Sequence, residues 1–123
     1  MPPTLNEQTS IYLQIAKMLE DGILRGIYPE DTQVPSTNEL ARTLCINPAT
    51  AAKGLNLLTE DGILYKRRGI GMFVAPRAAE KIRAKRKQTF FEQYVRPRAA
   101  EAKNIGITPA ELQAMLAQAS EKE

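Results

Sequence analysis

Three short runs in this 123-residue chain gather side chains suited to phosphate and base contact rather than to bond-making. Ser36, Thr37 and Asn38 form the first. Backbone N–H groups at a helix start, together with hydroxyl and amide side chains, donate readily to phosphate oxygens. A capping role for Ser36 is compatible with that use. Asn47, Pro48, Ala49 and Thr50 form the second run, with Lys53 three residues on. Asn47 suits a helix cap, either alone or with a reach to a phosphate. Thr50 offers a hydroxyl and a methyl, whereas Pro48, Ala49 and Ala52 allow close approach or packing on a thymine methyl. Lys53 supplies charge, to a phosphate or simply to solvent. The third run is Lys66, Arg67, Arg68 and Gly69, cations beside a glycine that lets a turn approach a groove.

Bond-making chemistry finds little support. The chain has no histidine and one cysteine, Cys45. That removes serine–histidine and cysteine–histidine pairs, histidine metal ligands and a cysteine zinc cage. No glycine-rich phosphate loop is present. The expectation is a protein that is not an enzyme, with no cofactor and no metal. Cys45 cannot form an internal disulfide, which fits a reducing cytoplasm. No apolar run is long enough to span a bilayer, and the N-terminus lacks a secretory pattern.

The elements that must position these runs follow from local signals. Residues 1–9 read as an extended arm. Ile11, Ile15, Met18, Leu19 and Ile23 share one face of a helix that Ser10 caps and Gly26 ends. Residues 27–34 read as a turn leading into a very short strand. Ser36-Thr37-Asn38-Glu39 is a capping box, and Leu40, Ala41 and Leu44 give the following helix its buried face. Cys45 and Ile46 make a turn. Asn47-Pro48 restarts a helix that buries Ala51, Leu55 and Leu58 and stops at Gly62. Two short capped helices joined by a tight turn are the layout of a helix-turn-helix. β-formers on both sides of Arg68-Gly69-Ile70-Gly71 then read as a hairpin. The fold class expected is mainly α with a β-hairpin wing: a winged helix-turn-helix over 10–76, followed by a helical segment over 77–123.

Charge is unevenly distributed along the chain. The net charge is +3, yet residues 77–103 hold nine basic and three acidic side chains. Arg83, Lys85, Arg86 and Lys87 are either extra phosphate contacts or a solvated helix face. Glu20, Asp21, Glu30 and Asp31 are expected to cluster away from the phosphate-binding side. In the tail, Pro97 should kink or break a helix, Gly106 should end one, and Thr108-Pro109-Ala110-Glu111 should cap another. Phe90, Phe91, Tyr94, Val95, Ile105, Leu112, Met115 and Leu116 exceed what a pair of tail helices can bury between themselves. They point to a homodimer surface, the alternative being a tail folded back on its own winged helix.

The Ile11-to-Ile15 run, the Val34-to-Ala41 box and the Arg67-to-Val74 wing resemble the GntR family of bacterial regulators. Asn47-Pro48-Ala49-Thr50 with Lys53, and the short helical tail, resemble its YtrA subfamily. The resemblance implies a homodimeric cytoplasmic repressor that binds a double-stranded DNA operator and controls a nearby operon, often a transporter operon, and its own gene. A small-molecule effector is a further implied partner; a membrane is not. Most family members carry a large sensing domain after the wing, and too few residues follow Pro76 for one. The sequence departs from the family at Asn38, Pro48 and Ala52, where basic residues are usual, and at Asp31, where glycine is usual. Those departures leave the fold intact and bear on the operator sequence. The alternative function is a winged helix serving only as a protein–protein module.

Overall fold

A computed structural model describes residues 10–121, so the expected arm over residues 1–9 lies outside the described residues. The chain forms two compact units, one reaching Arg83 and one from Ala84 onward.

In the first unit each helix starts and stops where local chemistry requires. Helix α1 spans Ile11–Leu24. Ser10 stands at the cap position as expected, but its hydroxyl makes no capping bond; its carbonyl accepts from the amides of Leu13 and Gln14, both at 3.2 Å. At its other end the Ile27 amide reaches back to the Gly22 carbonyl at 2.9 Å, around Gly26 at φ 81°. That left-handed position favours glycine. Helix α2 spans Thr37–Leu44 and carries the full capping box. The Glu39 amide donates to Ser36 Oγ, and the Ser36 amide donates to the Glu39 carboxylate, both at 3.1 Å. Cys45 follows in the left-handed region at φ 55°, turning the chain sharply. Helix α3 spans Pro48–Glu60, with Asn47 Oδ1 accepting from the Ala49 amide at 2.8 Å. It closes at Gly62, where the Ile63 amide bonds the Leu58 carbonyl at 2.9 Å.

Strands β1, Leu64–Arg67, and β2, Gly71–Val74, form an antiparallel hairpin in which Leu64 pairs with Val74 and Arg67 with Gly71. The segment before α2 runs beside β2. Asp31 and Val34 donate backbone amides to Val74 and Met72, Val74 donates to Thr32, and Gln33 makes a single β-bridge to Phe73. The short strand expected there is thus reduced to one bridge, flanked by these backbone bonds.

One apolar cluster holds this unit together. Ile15, Leu19 and Ile23 of α1 meet Leu40 of α2, Ala51, Leu55 and Leu58 of α3, and Ile63, Leu64 and Val74 of the hairpin. Ala78 and Ile82, in the first half of α4 (Ala78–Phe90), are completely buried in the same cluster. The core therefore continues past Pro76. Helices α1 and α3 press together at Gly54, where an added Cβ would lie 3.0 Å from both Ile15 Cγ2 and the Tyr12 carbonyl oxygen.

Among its described residues the second unit consists of helices and the turn that joins the last two. After α4 a π-helical stretch covers Phe91–Val95, then α5 spans Arg96–Asn104 and α6 spans Pro109–Glu121. The chain is neither broken nor ended by Pro97. The missing proline amide is absorbed by the wider turn before it, in which the Arg96 amide bonds the Phe91 carbonyl five residues back. Gly106, at φ 79°, ends α5, and the Ile107 amide returns to the Ala102 carbonyl at 2.8 Å. Thr108 and Glu111 form the second capping box.

Candidate nucleic-acid interface

The capping box of α2 consumes the amides of Ser36 and Glu39. It leaves those of Thr37 and Asn38, which have no intrahelical acceptor in the first turn. Ser36 and Thr37 are half-buried and Asn38 is exposed. Ser36 hydrogen bonds hold the Glu39 carboxyl below its ordinary range, the backbone amide first and the hydroxyl second. The box is therefore an ionic one near neutral pH.

Helix α3 turns Ala51, Gly54, Leu55 and Leu58 inward. Asn47, Pro48, Ala49 and Lys53 are exposed, and Thr50 and Ala52 half-buried. Asn47 uses its carbonyl oxygen for the cap, so its amide nitrogen is the group left to donate. Lys53 is held over the ring of Tyr12, with Nζ 4.1 Å from the centroid. This fixes the ammonium by a cation–π contact while leaving it exposed. Tyr12, Ala49, Ala52, Lys53, Asn56, Leu57 and Glu60 line an open groove of about 550 Å³ on this side of α3.

At the wing, Lys66, Arg67, Arg68, Gly69 and Ile70 are all exposed. Gly69 takes φ 76° in the turn. Arg67 and Arg68 are not equivalent. The Arg67 guanidinium lies over Phe73, 4.3 Å from the ring centroid, and donates to the Tyr65 hydroxyl at 3.1 Å. That hydroxyl donates in turn to Asp31 Oδ1 at 2.9 Å. The ring of Tyr65 stacks on Phe73 at 5.9 Å. Arg67 is thus held over Phe73, while Arg68 sits at the turn beside Gly69.

The acidic residues grouped by the sequence have separate fates. Glu20 is buried, whereas Asp31 supports the Tyr65–Arg67 chain. Glu30 accepts the Arg77 amide at 2.6 Å, where Arg77 takes φ 62° just before α4. Glu30 and Asp31 therefore serve the wing and its exit rather than a remote acidic face.

Four residues escape the sequence reading: three at this surface, Tyr12 under Lys53, Gln33 against the turn and Tyr65 behind Arg67, and the buried Gly54 between α1 and α3. Only Gly54 leaves a local trace, a glycine in mid-helix that costs helix propensity without an evident local reason.

The tail residues singled out by the sequence are outward-facing. Phe90 is 58% exposed, Tyr94 53%, Ile105 64% and Leu116 61%. Phe91, Val95 and Met115 are exposed as well, and Leu112 is half-buried. Phe90 and Tyr94 meet ring to ring at 5.6 Å, and Arg96 lies over Phe91 while forming a two-pronged pair with Glu92. Among the described residues no helix is long and apolar enough to cross a membrane, and no cluster of metal-ligating side chains occurs.

Comparison with known proteins matches this arrangement. The family model for bacterial regulatory proteins of the gntR family fits residues 11–74. The HTH-type transcriptional repressor YtrA of Bacillus subtilis is 28% identical over 99 residues, covering 80% of this chain and 75% of the repressor. Other curated relatives are much longer: the chain spans 27% and 26% of two of them. A crystal structure of a GntR-family regulator from Bacteroides thetaiotaomicron superposes with a TM-score of 0.80 at 33% identity, covering 91% of this chain and 97% of that one. The DNA-binding domain of AraR, crystallised with operator ORX1, superposes with a TM-score of 0.54 at 29% identity over 61% of this chain and 92% of that one. Its fold, its winged helix-turn-helix and the match from Ile11 to Val74 establish that the chain belongs to the GntR family of bacterial regulatory proteins.

Proposed function

We propose that this protein is a homodimeric transcriptional repressor that works on double-stranded DNA and is not an enzyme. Helix α3 enters the major groove with Asn47, Pro48, Ala49 and Thr50 leading, and Lys53 answers a phosphate. The α2 start, at Ser36, Thr37 and Asn38, binds the backbone. The wing, through Lys66, Arg68 and Gly69, approaches the adjacent minor groove, with Arg67 stiffening it from behind. The tail pairs with a second copy through Phe90, Phe91, Tyr94, Val95, Ile105, Leu112, Met115 and Leu116, so that two half-sites are read together. The regulated unit is a neighbouring operon with its own gene, released by a small molecule; that part rests on family resemblance alone. Such a role belongs to the cytoplasm.

The observation that carries the DNA reading is the exposure of both α3's leading end and the cationic wing turn within a domain that resembles operator-bound AraR. Selection of bound sequences from a random duplex pool tests it, and a two-fold symmetric motif is the expected product. Arg68→Ala should then weaken binding to that duplex. Its log–log salt slope should flatten by about 0.9 for each phosphate that is no longer neutralised. Recovery of no sequence above background would favour the protein–protein module instead. An unchanged slope would remove Arg68 from the interface.

A further inference from the structure

The wing is held by more than its own strands. Gln33 Nε2 donates to the Ile70 carbonyl at 2.9 Å, a bond between residues 37 positions apart. On the other side the Ile70 amide donates to the Arg67 carbonyl at 2.9 Å and closes the turn. Ile70 is therefore fixed through both its backbone groups. The Gln33 side chain springs from a fixed base, since its backbone bridges Phe73 and the next amide, Val34, bonds Met72 at 3.0 Å. Gly71 completes the arrangement. Its φ is 145°, and a Cβ there would stand 2.5 Å from Gln33 Nε2. The amide of Gln33 occupies the room that any side chain at position 71 would need.

This latch joins two parts of the DNA-facing surface. Gln33 lies three residues before Ser36, the cap of α2, and its amide grips the turn that carries Arg68 and Gly69. A two-stranded hairpin alone is marginally ordered in water, and here only Leu64, Phe73 and Val74 of the strands are buried. The far end needs a separate restraint if Arg68 is to be presented in one orientation. We infer that Gln33 is a positioning residue for the wing turn, indexing Arg68 to the start of α2. This rests on the DNA reading above. It makes part of the affinity depend on a residue that need not touch DNA.

Gln33→Met keeps the length of the side chain and removes the donor. The test compares wild type, Q33M, R68A and the double variant of the full chain on the duplex recovered by selection. Q33M should lose roughly three- to tenfold in affinity, the range of one hydrogen bond. In the R68A background the same change should cost less than about twofold, because there is no longer an Arg68 to orient. The melting curve of Q33M should match wild type, and amide exchange at Ile70 and Gly71 should accelerate without DNA. Equal losses in both backgrounds, or no loss in either, would overturn the positioning role. So would a collapsed melt, which would make Gln33 a folding residue. Wild-type protein that binds no duplex would sink the DNA reading instead, while the exchange measurement still reports on the latch.

Discussion

The winged unit and the tail contain similar apolar side chains and treat them in opposite ways. Up to Arg83, Ile15, Leu55, Leu58, Ile63, Leu64, Val74 and Ile82 are all at most 2% exposed. Beyond Arg83, Ala102 is the one buried residue among those described. Helix α6 has 13 residues and buries none. An isolated helix of about 12–15 residues is marginal in water, because fixing its backbone is barely offset by its own hydrogen bonds. The tail has strong local signals, including a capping box at Thr108 and Glu111 and a glycine stop at Gly106, yet it lacks a core of its own. The first unit is thus specified by burial within one chain, whereas the tail shows strong local signals and leaves its apolar side chains exposed. In our proposal a second copy covers them.

Removing the aromatic pair should break that contrast most clearly. Burying Phe90 and Tyr94 in a dimer is worth about 1.5–3 kcal/mol each, so Phe90→Ala with Tyr94→Ala should raise the dimer dissociation constant roughly hundredfold or more. Sedimentation at several concentrations reads this directly. Helicity should fall with dissociation, while the winged unit should keep its own melt. A wild-type chain that stays monomeric at high micromolar concentration would leave the tail's apolar residues unexplained by self-association.

Gly54→Val probes the opposite side of the comparison. The first Cβ atom already meets Ile15 and the Tyr12 carbonyl at 3.0 Å, and valine adds two methyl groups to that contact. Overpacking should cost about 2 kcal/mol or more. On a unit of this size that lowers the melting temperature by roughly 10 °C. Dimerisation through the tail should persist at temperatures where the unit remains folded. A melt as high as wild type would mean that α1 and α3 can separate without penalty, and that the groove beside Lys53 is not rigid.

These two regions were not equally legible in the sequence. The capping box at Ser36, the Asn47 cap, the stops at Gly26, Gly62 and Gly106, and the hairpin turn are local, so residue type and spacing encode them. The Asp31–Tyr65–Arg67 chain, the Gln33 latch and the Lys53–Tyr12 contact join residues more than thirty positions apart. Periodicity carries no information about such pairs. Arg67 shows the consequence: beside Arg68 it reads as an equivalent cation, and spacing gives no sign that it lies over Phe73 and bonds the Tyr65 hydroxyl while staying exposed. Pro97 shows another: the proline rule predicts a kink or a break, and the structure answers with a π-helical stretch over Phe91–Val95 just before it, a remedy that residue spacing does not encode.

The smallest effect expected lies in the two capping boxes, one in each region. Glu39 and Glu111 are both held below the ordinary carboxylate range, chiefly by the backbone amides of Ser36 and Thr108 and then by their hydroxyls. A carboxyl whose folded value is depressed stabilises the fold above its unfolded value. That contribution is lost as pH falls through the folded value. Stability should therefore be flat near neutrality and decline only as pH drops through and below the ordinary carboxylate range. Both groups are solvent-exposed, so the loss is a modest one. Glu39→Gln retains a cap-forming oxygen but not the charge, and should remove its share of the acid limb from the winged unit's melt. Glu111→Gln should do the same for tail helicity, and more visibly in the monomeric Phe90/Tyr94 variant, where no partner burial masks a weakened helix start. An acid limb unchanged by both substitutions would assign the pH dependence to other carboxylates. Equal sensitivity of the tail in monomer and dimer would count against a second copy covering it.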